Sequence, residues 1–238
     1  MRPLIGITSD TVEATLEGRA WNSQNLLAQY TSGIIIAGGL PVILPLAQPG
    51  LAEETARRLD GIILSGGVAD IPPETYGCER HPMTIPMTTI RFESEALWLK
   101  AALQLNLPTL GICLGMQMMQ VIAGGILIQD IPSERPGSLL HTAASRRQPH
   151  AVRIVPGTQL AALAPDSVVT VYSAHHQAIP DPVNPFIPSG YTEDGILEAM
   201  EDPTRGFVIG VQWHPERNPD QPDWLLAGFV AQCVARMM

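Results

Sequence analysis

Short apolar, β-branched runs alternate with helical patterns along the first half of the chain. Leu4–Thr8, Pro41–Leu46, Gly61–Ser65 and Pro108–Ile112 read as strands, and the intervening spacing predicts helices around Gln24–Ala37, Ala52–Leu59, Arg91–Leu105 and Leu114–Ala123. Parallel neighbours need a crossover connection, so this rhythm predicts βαβ units and an α/β fold with a mainly parallel central sheet flanked by helices. Beyond Gly124 the pattern changes to strand-like runs at Ala151–Val155, Val168–Tyr172, Gly195–Met200 and Phe207–Gln212. Their short Pro- and Gly-rich connections predict a partly antiparallel extension. Trp224, Leu225, Phe229 and Val230 fall at helical spacing within a closing helix over Asp223–Met238. Gly66–Thr89 and Gln129–His150 lack either period and are longer than ordinary connections, as segments bordering a site often are.

Composition narrows the function classes. A hydrophobic fraction of 45% against 16% charged residues describes a chain able to bury a core, taken as one domain over residues 1–238. The formal net charge of −9, with no stripe of Lys and Arg, argues against nucleic acid as a partner. The most apolar stretch, Gly33–Ala47, is interrupted by Gly38, Gly39, Pro41 and Pro45 and falls short of the roughly 20 residues of a spanning helix, so no membrane segment is expected. An apolar strand pattern at Leu4–Ile7 takes the place of a secretory leader, and the three cysteines, Cys78, Cys113 and Cys233, fit neither a disulfide framework nor a zinc site. A cytoplasmic protein with no cofactor is the expectation.

The chemistry is concentrated at two places. In Leu110-Gly111-Ile112-Cys113-Leu114-Gly115-Met116-Gln117 a cysteine stands between an apolar strand and a helix, with glycines two residues to either side. A nucleophile on so sharp a turn needs neighbours without a Cβ, and the helix start behind it favours a thiolate and a developing oxyanion. In the second place, Val208-Ile209-Gly210-Val211-Gln212-Trp213-His214-Pro215-Glu216, a buried strand ends in a histidine and a glutamate. A cysteine nucleophile needs an imidazole to move the proton and a carboxylate to orient that imidazole. Pro215 restricts His214 to extended backbone, which would put both side chains on one side.

Gly111-Ile112-Cys113-Leu114-Gly115-Met116-Gln117 resembles the Gly-x-Cys-x-Gly-x-Gln signature of class I glutamine amidotransferase-like proteins, and His214-Pro215-Glu216 resembles the end of their triad. The resemblance implies a flavodoxin-like fold, a γ-glutamyl thioester on Cys113, and a triad of Cys113, His214 and Glu216. It assigns an oxyanion hole to the N–H groups of Gly67 and Leu114, and contact with the glutamyl portion to Gln117. Val171-Tyr172-Ser173-Ala174-His175-His176-Gln177 resembles the Ser-x-His-His-Gln motif of the γ-glutamyl-γ-aminobutyrate hydrolase-like, or peptidase C26-like, branch, which would put Ser173, Ala174, His175 and His176 along the substrate pocket. Ala37–Val42, Gln129-Asp130-Ile131 and Asp194–Ala199 extend this likeness over most of the chain.

The adjacent histidines lack a third ligand at a characteristic spacing, so no metal is expected. Arg91 is either a partner for a substrate carboxylate or an ordinary helix-start arginine. Tyr172 and Phe92 depart from the residues common among relatives. The resemblance therefore implies hydrolysis of a small γ-glutamyl conjugate, with a glutaminase subunit feeding a separate synthase as the rival reading. As relatives often pair, a homodimer is also expected.

Overall fold

The computed structural model describes residues 1–141, 149–217 and 223–238. Eleven strands and seven helices are assigned among them. In chain order they are β1 (Leu4–Ile7), β2 (Asp10–Leu16), β3 (Arg19–Asn25), α1 (Ala28–Ile36), β4 (Leu40–Ile43), α2 (Leu51–Ala56), β5 (Gly61–Leu64), α3 (Thr89–Gln104), β6 (Thr109–Ile112), α4 (Leu114–Ile122), α5 (Ile131–Glu134), β7 (Pro149–Ile154), α6 (Gln159–Leu163), β8 (Val168–Tyr172), β9 (Ile187–Tyr191), β10 (Leu197–Glu201), β11 (Val208–Val211) and α7 (Trp224–Arg236).

Nine of the strands form one sheet in the order β4-β1-β5-β6-β11-β10-β9-β7-β8, and β2 and β3 form a separate hairpin. From β4 to β11 the neighbours run parallel. From β10 to β8 they run antiparallel. The expected parallel sheet with an antiparallel extension is thus present.

Every residue of β5, β6 and β11 is buried. Strands covered by helices on both faces read as continuous apolar runs for this reason. The period of two within β5 divides its side chains between two cores. Ile62 and Leu64 pack with Trp98 of α3 and with Met116, Met118 and Met119 of α4, whereas Ile63 packs with Ile34 of α1 and Phe229 of α7. The elbow-helix methionines therefore fill the core, as unbranched, polarizable side chains readily do.

Helix ends follow local chemistry. Thr88 caps α3 by accepting from the Arg91 N–H, and Asp223 caps α7 by accepting from Leu225 N–H at 2.8 Å. The predicted helix at Gln24–Ala37 begins later, at Ala28, because residues 10–25 form the β2–β3 hairpin, whose turn contains Gly18 at φ 72°. The hairpin, β9 and the short helices α5 and α6 were not predicted. Part of the loop expected over Gln129–His150 falls outside the described residues.

Candidate active site

Strand β6 ends at Ile112 and α4 starts at Leu114, leaving Cys113 alone to make the turn at φ 52° and ψ −105°. A non-glycine residue there stores strain on the order of 1–3 kcal/mol, held in place by its surroundings. Cys113 N–H donates to Val211 O at 2.7 Å, which ties the turn to β11. The flanking glycines permit the close approach. A Cβ on Gly115 would lie 2.2 Å from the Leu64 carbonyl oxygen, and one on Gly111 would lie 2.8 Å from the Gly115 carbonyl carbon. Backbone atoms cannot yield as a flexible side chain does, so glycine at position 115 is a steric requirement.

The chain leaving the neighbouring strand β11 brings in His214 and Glu216. His214 Nδ1 lies 2.7 Å from Glu216 Oε1, and both residues are buried. Glu216 sits in a 3-10 turn, Pro215–Arg217. This corrects the expectation of extended backbone through the pair: the turn, not strand alternation, brings the carboxylate back to the ring. Burial pushes the His214 pKa down, but the charges of Glu216 and Cys113 and hydrogen bonds to both outweigh it and raise it to about 9. Imidazolium beside Cys113 is accordingly the favoured state near neutral pH. Gln212 Nε2 lies 3.4 Å from Cys113 Sγ, and its Oε1 accepts from Gln117 Nε2 at 3.2 Å.

The loop after β5 closes the site from the other side. A Cβ on Gly66 would come within 3.1 Å of the His214 ring and 3.5 Å of Cys113 Cβ. Gly66 N–H donates to Tyr30 Oη at 2.9 Å, and Gly66 O accepts from Arg91 Nη2 at 3.2 Å. Gly66 C=O and Gly67 N–H belong to one planar trans peptide and point in opposite directions. Arg91, by holding the carbonyl, turns the Gly67 N–H away from itself. Among the described residues, neither Gly67 N–H nor Leu114 N–H has a protein acceptor.

Arg91 was expected either to meet a substrate carboxylate or to be a helix-start residue. It is 1% exposed and paired with Asp10, with Glu95 Oε1 3.8 Å away. Burial raises the Glu95 pKa and the Arg91 charge opposes this, leaving it at about 7. Arg91 does not line the cavity and is engaged by the fold itself. Nothing in the sequence announced this role, because Asp10, Gly66 and Arg91 come from three separate segments.

Cys113, Leu114, Gly67, Gln117, Ala174, His175, His176 and His214 converge on a cavity of about 340 Å³, within the range of small-ligand sites. Ser173, expected there too, turns away: its hydroxyl meets His150 Nε2 at 2.8 Å, and it does not line the cavity. Asp10, Tyr30, Asp70 and Arg217 also border the space, and none of them was predicted. His176 is braced by Asp70 at 3.0 Å and Asp130 at 3.3 Å, and hydrogen bonding to Asp70, against the effect of burial, raises its pKa.

Known proteins share this arrangement of sequence and fold. The sequence model of the family described as peptidase C26 matches residues 3–216. A glutamine amidotransferase-like protein of Rickettsia prowazekii is 33% identical over 90% of this chain and 91% of its own. The γ-glutamyl-γ-aminobutyrate hydrolase of Escherichia coli K12 is 34% identical over 97% of this chain and 93% of its own. Among solved structures, the glutaminase domain of a CTPS from Trypanosoma brucei, with bound acivicin, superimposes with a TM-score of 0.63 at 16% identity, covering 98% of this chain and 94% of that one. That likeness speaks for the flavodoxin-like glutamine amidotransferase fold. With the elbow after β6, the paired His214 and Glu216 just beyond β11, and a family match spanning nearly the whole chain, the protein belongs to the peptidase C26 family, within the class I glutamine amidotransferase-like superfamily.

Proposed function

We propose that the protein hydrolyses the γ-glutamyl amide bond of a small γ-glutamyl conjugate through a thioester on Cys113. The observation that carries this reading is the buried His214–Glu216 pair at 2.7 Å beside a cysteine on a strained elbow, with Cys113 and His214 lining one cavity. Kinship with a γ-glutamyl-γ-aminobutyrate hydrolase supports the substrate class.

In the proposed reaction the Cys113 thiolate attacks the γ-carbonyl carbon, and the oxygen takes the negative charge. The N–H groups of Gly67 and Leu114 receive that oxyanion, a contribution typically worth about 10²–10³ in rate for each donor. Protonated His214 gives its proton to the departing amine as the C–N bond breaks, and Glu216 keeps Nδ1 engaged so that Nε2 faces the reaction. Neutral His214 then takes a proton from water, whose oxygen attacks the thioester. Glutamate leaves, and the thiolate–imidazolium pair is restored.

Glutamate and amine release from a panel of γ-glutamyl amides, with glutamine included and Cys113→Ala as control, tests the reading. Selective cleavage of one conjugate, with a glutamyl adduct on Cys113 by mass spectrometry, is expected. Full turnover by Cys113→Ala, or hydrolysis of glutamine alone and only with a synthase present, would overturn it.

A further inference from the structure

Behind the cavity wall, three segments distant in sequence bring imidazoles around one carboxylate. Glu198 Oε1 of β10 lies 3.1 Å from His141 Nδ1, 3.4 Å from His150 Nε2 and 3.1 Å from His175 Nε2. Side-chain exposure is 0% for Glu198, 1% for His141 and 9% for His150. One ligand atom each from His141, His150 and Glu198 falls within 4.8 Å of the others. None of these three residues lines the cavity that holds Cys113, and the proposed hydrolysis has no use for them.

Two features are unusual for a simple hydrogen-bonded network. His141 Nδ1, 3.1 Å from Glu198 Oε1, is poorly aligned on it for a hydrogen bond, and Glu198 Oε2 has no hydrogen-bond partner among the described residues. Buried polar atoms are rarely left so, since each costs about 1–3 kcal/mol. Ligand atoms that point at a shared centre lie close together without bonding to each other. For zinc, with ligands about 2.0–2.1 Å from the ion, tetrahedral neighbours are about 3.3 Å apart, close to the separations found here.

The surroundings match a metal's outer layer. His141 Nε2 is 3.0 Å from Asp194 Oδ2, the carboxylate–histidine arrangement that orients metal-bound imidazoles. His175 Nε2 meets the same Glu198 oxygen, and its Nδ1 faces Gln177 O at 2.8 Å. Ser173 Oγ stands 2.8 Å from His150 Nε2.

We propose that His141 Nδ1, His150 Nε2 and the Glu198 carboxylate bind one divalent transition-metal ion of the zinc type, with the Ser173 hydroxyl or a water completing the set. Two neutral imidazoles and a carboxylate are a donor set that zinc accepts, and the Glu198 and Asp194 charges balance the ion. The ion is structural. It ties the segment carrying His141 to β7 and β10 and, through Glu198 and His175, fixes the wall of the catalytic cavity.

The test uses the full chain, stripped with chelator and titrated with Zn²⁺ or Co²⁺ alone, and its readout does not depend on turnover. One metal per chain by elemental mass spectrometry, a Zn²⁺-dependent rise in Tm, and the visible absorption of tetrahedral Co²⁺ are expected. Glu198→Gln and His141→Gln should lose retention, and Asp194→Asn should weaken it roughly 10–100-fold. Cys113→Ala and His176→Ala should bind as the parent does, which separates this site from the catalytic thiol and from the Asp70–His176–Asp130 group. Wild-type protein that takes up no stoichiometric metal, or uptake that Cys113→Ala abolishes, would overturn the proposal whether or not any variant folds.

Discussion

In the parallel half of the sheet β5, β6 and β11 bury every residue, whereas β8, at the far antiparallel edge, alternates exposed and buried positions. The two halves also hold their functional residues by different physics. Cys113 is fixed by steric contact: glycines let α4 begin against the Leu64 carbonyl, and the cysteine's backbone has nowhere else to go. His141, His150 and His175 are gathered around the buried Glu198 carboxylate. Close packing is insensitive to pH and intolerant of added atoms, while a charge cluster tolerates small changes of shape but not of ionisation. Substitutions should sort accordingly.

Cys113→Ala carries the largest expected effect, a loss of turnover on the order of 10⁴-fold or more with the melting temperature nearly unchanged, measured by product release and calorimetry. Next comes Glu198→Ala in the metal-stripped protein, which leaves buried histidines without their carboxylate partner and should cost about 3–5 kcal/mol in denaturant unfolding. Its cost should vary with pH. Glu198, opposed by burial but held down by the histidines, has its pKa well below the usual carboxylate range, so its stabilisation is lost as acid titrates it. His141, opposed by burial but raised by Glu198 and Asp194, contributes stability that is complete below the unfolded value of about 6.5 and disappears as pH rises through its folded pKa. In the metal-free protein the cluster should therefore stabilise most between about pH 4.5 and 6.5. Gly115→Ala provides the contrast: a clash with backbone at 2.2 Å should cost about 3 kcal/mol, equally at all these pH values. A pH-flat cost for Glu198→Ala would erase the distinction between the halves.

Smaller effects sharpen the picture of the parallel half. Arg91→Met frees the Gly66 carbonyl and should lower kcat about 10–100-fold while KM changes little, because only the oxyanion donor is misdirected. Its destabilisation can be separated by assaying well below Tm. The mildest prediction concerns pH alone. If the proposed reaction holds, protonated His214 supplies the amine's proton, and kcat/KM should fall on the alkaline side with an apparent pKa near 9. By linkage, the stability that His214 contributes is complete below about 6.5 and is lost through about 9. Glu216→Gln should move the alkaline limit of activity and of stability to lower pH, leaving the unfolded value unchanged.

The reach of the sequence follows the range of the forces involved. A cysteine framed by glycines between a four-residue apolar strand and a helix is a local pattern, and its geometry follows locally, so Cys113, His214 and Glu216 could be named from spacing and resemblance before any fold was known. The buried central strands were equally legible, since coverage on both faces leaves an uninterrupted apolar run. The β2–β3 hairpin was not, because its strands carry polar residues that mimic a loop.

Neither Arg91 nor the histidine cluster could be assigned in this way. Arg91 at the start of a helix looks the same whether it meets solvent, substrate or the Gly66 carbonyl; burial at 1% beside Asp10 is a property of three segments meeting. His175 and His176 side by side suggested a shared purpose, yet the fold turns one toward Glu198 and the other toward Asp70. The sequence by itself determined the elbow carrying Cys113, the strand leading to His214 and Glu216, and the parallel core, all governed by local backbone geometry and hydrophobic period. Only the tertiary structure decided which polar side chains meet, because a buried charge is stable only beside partners that distant parts of the chain supply.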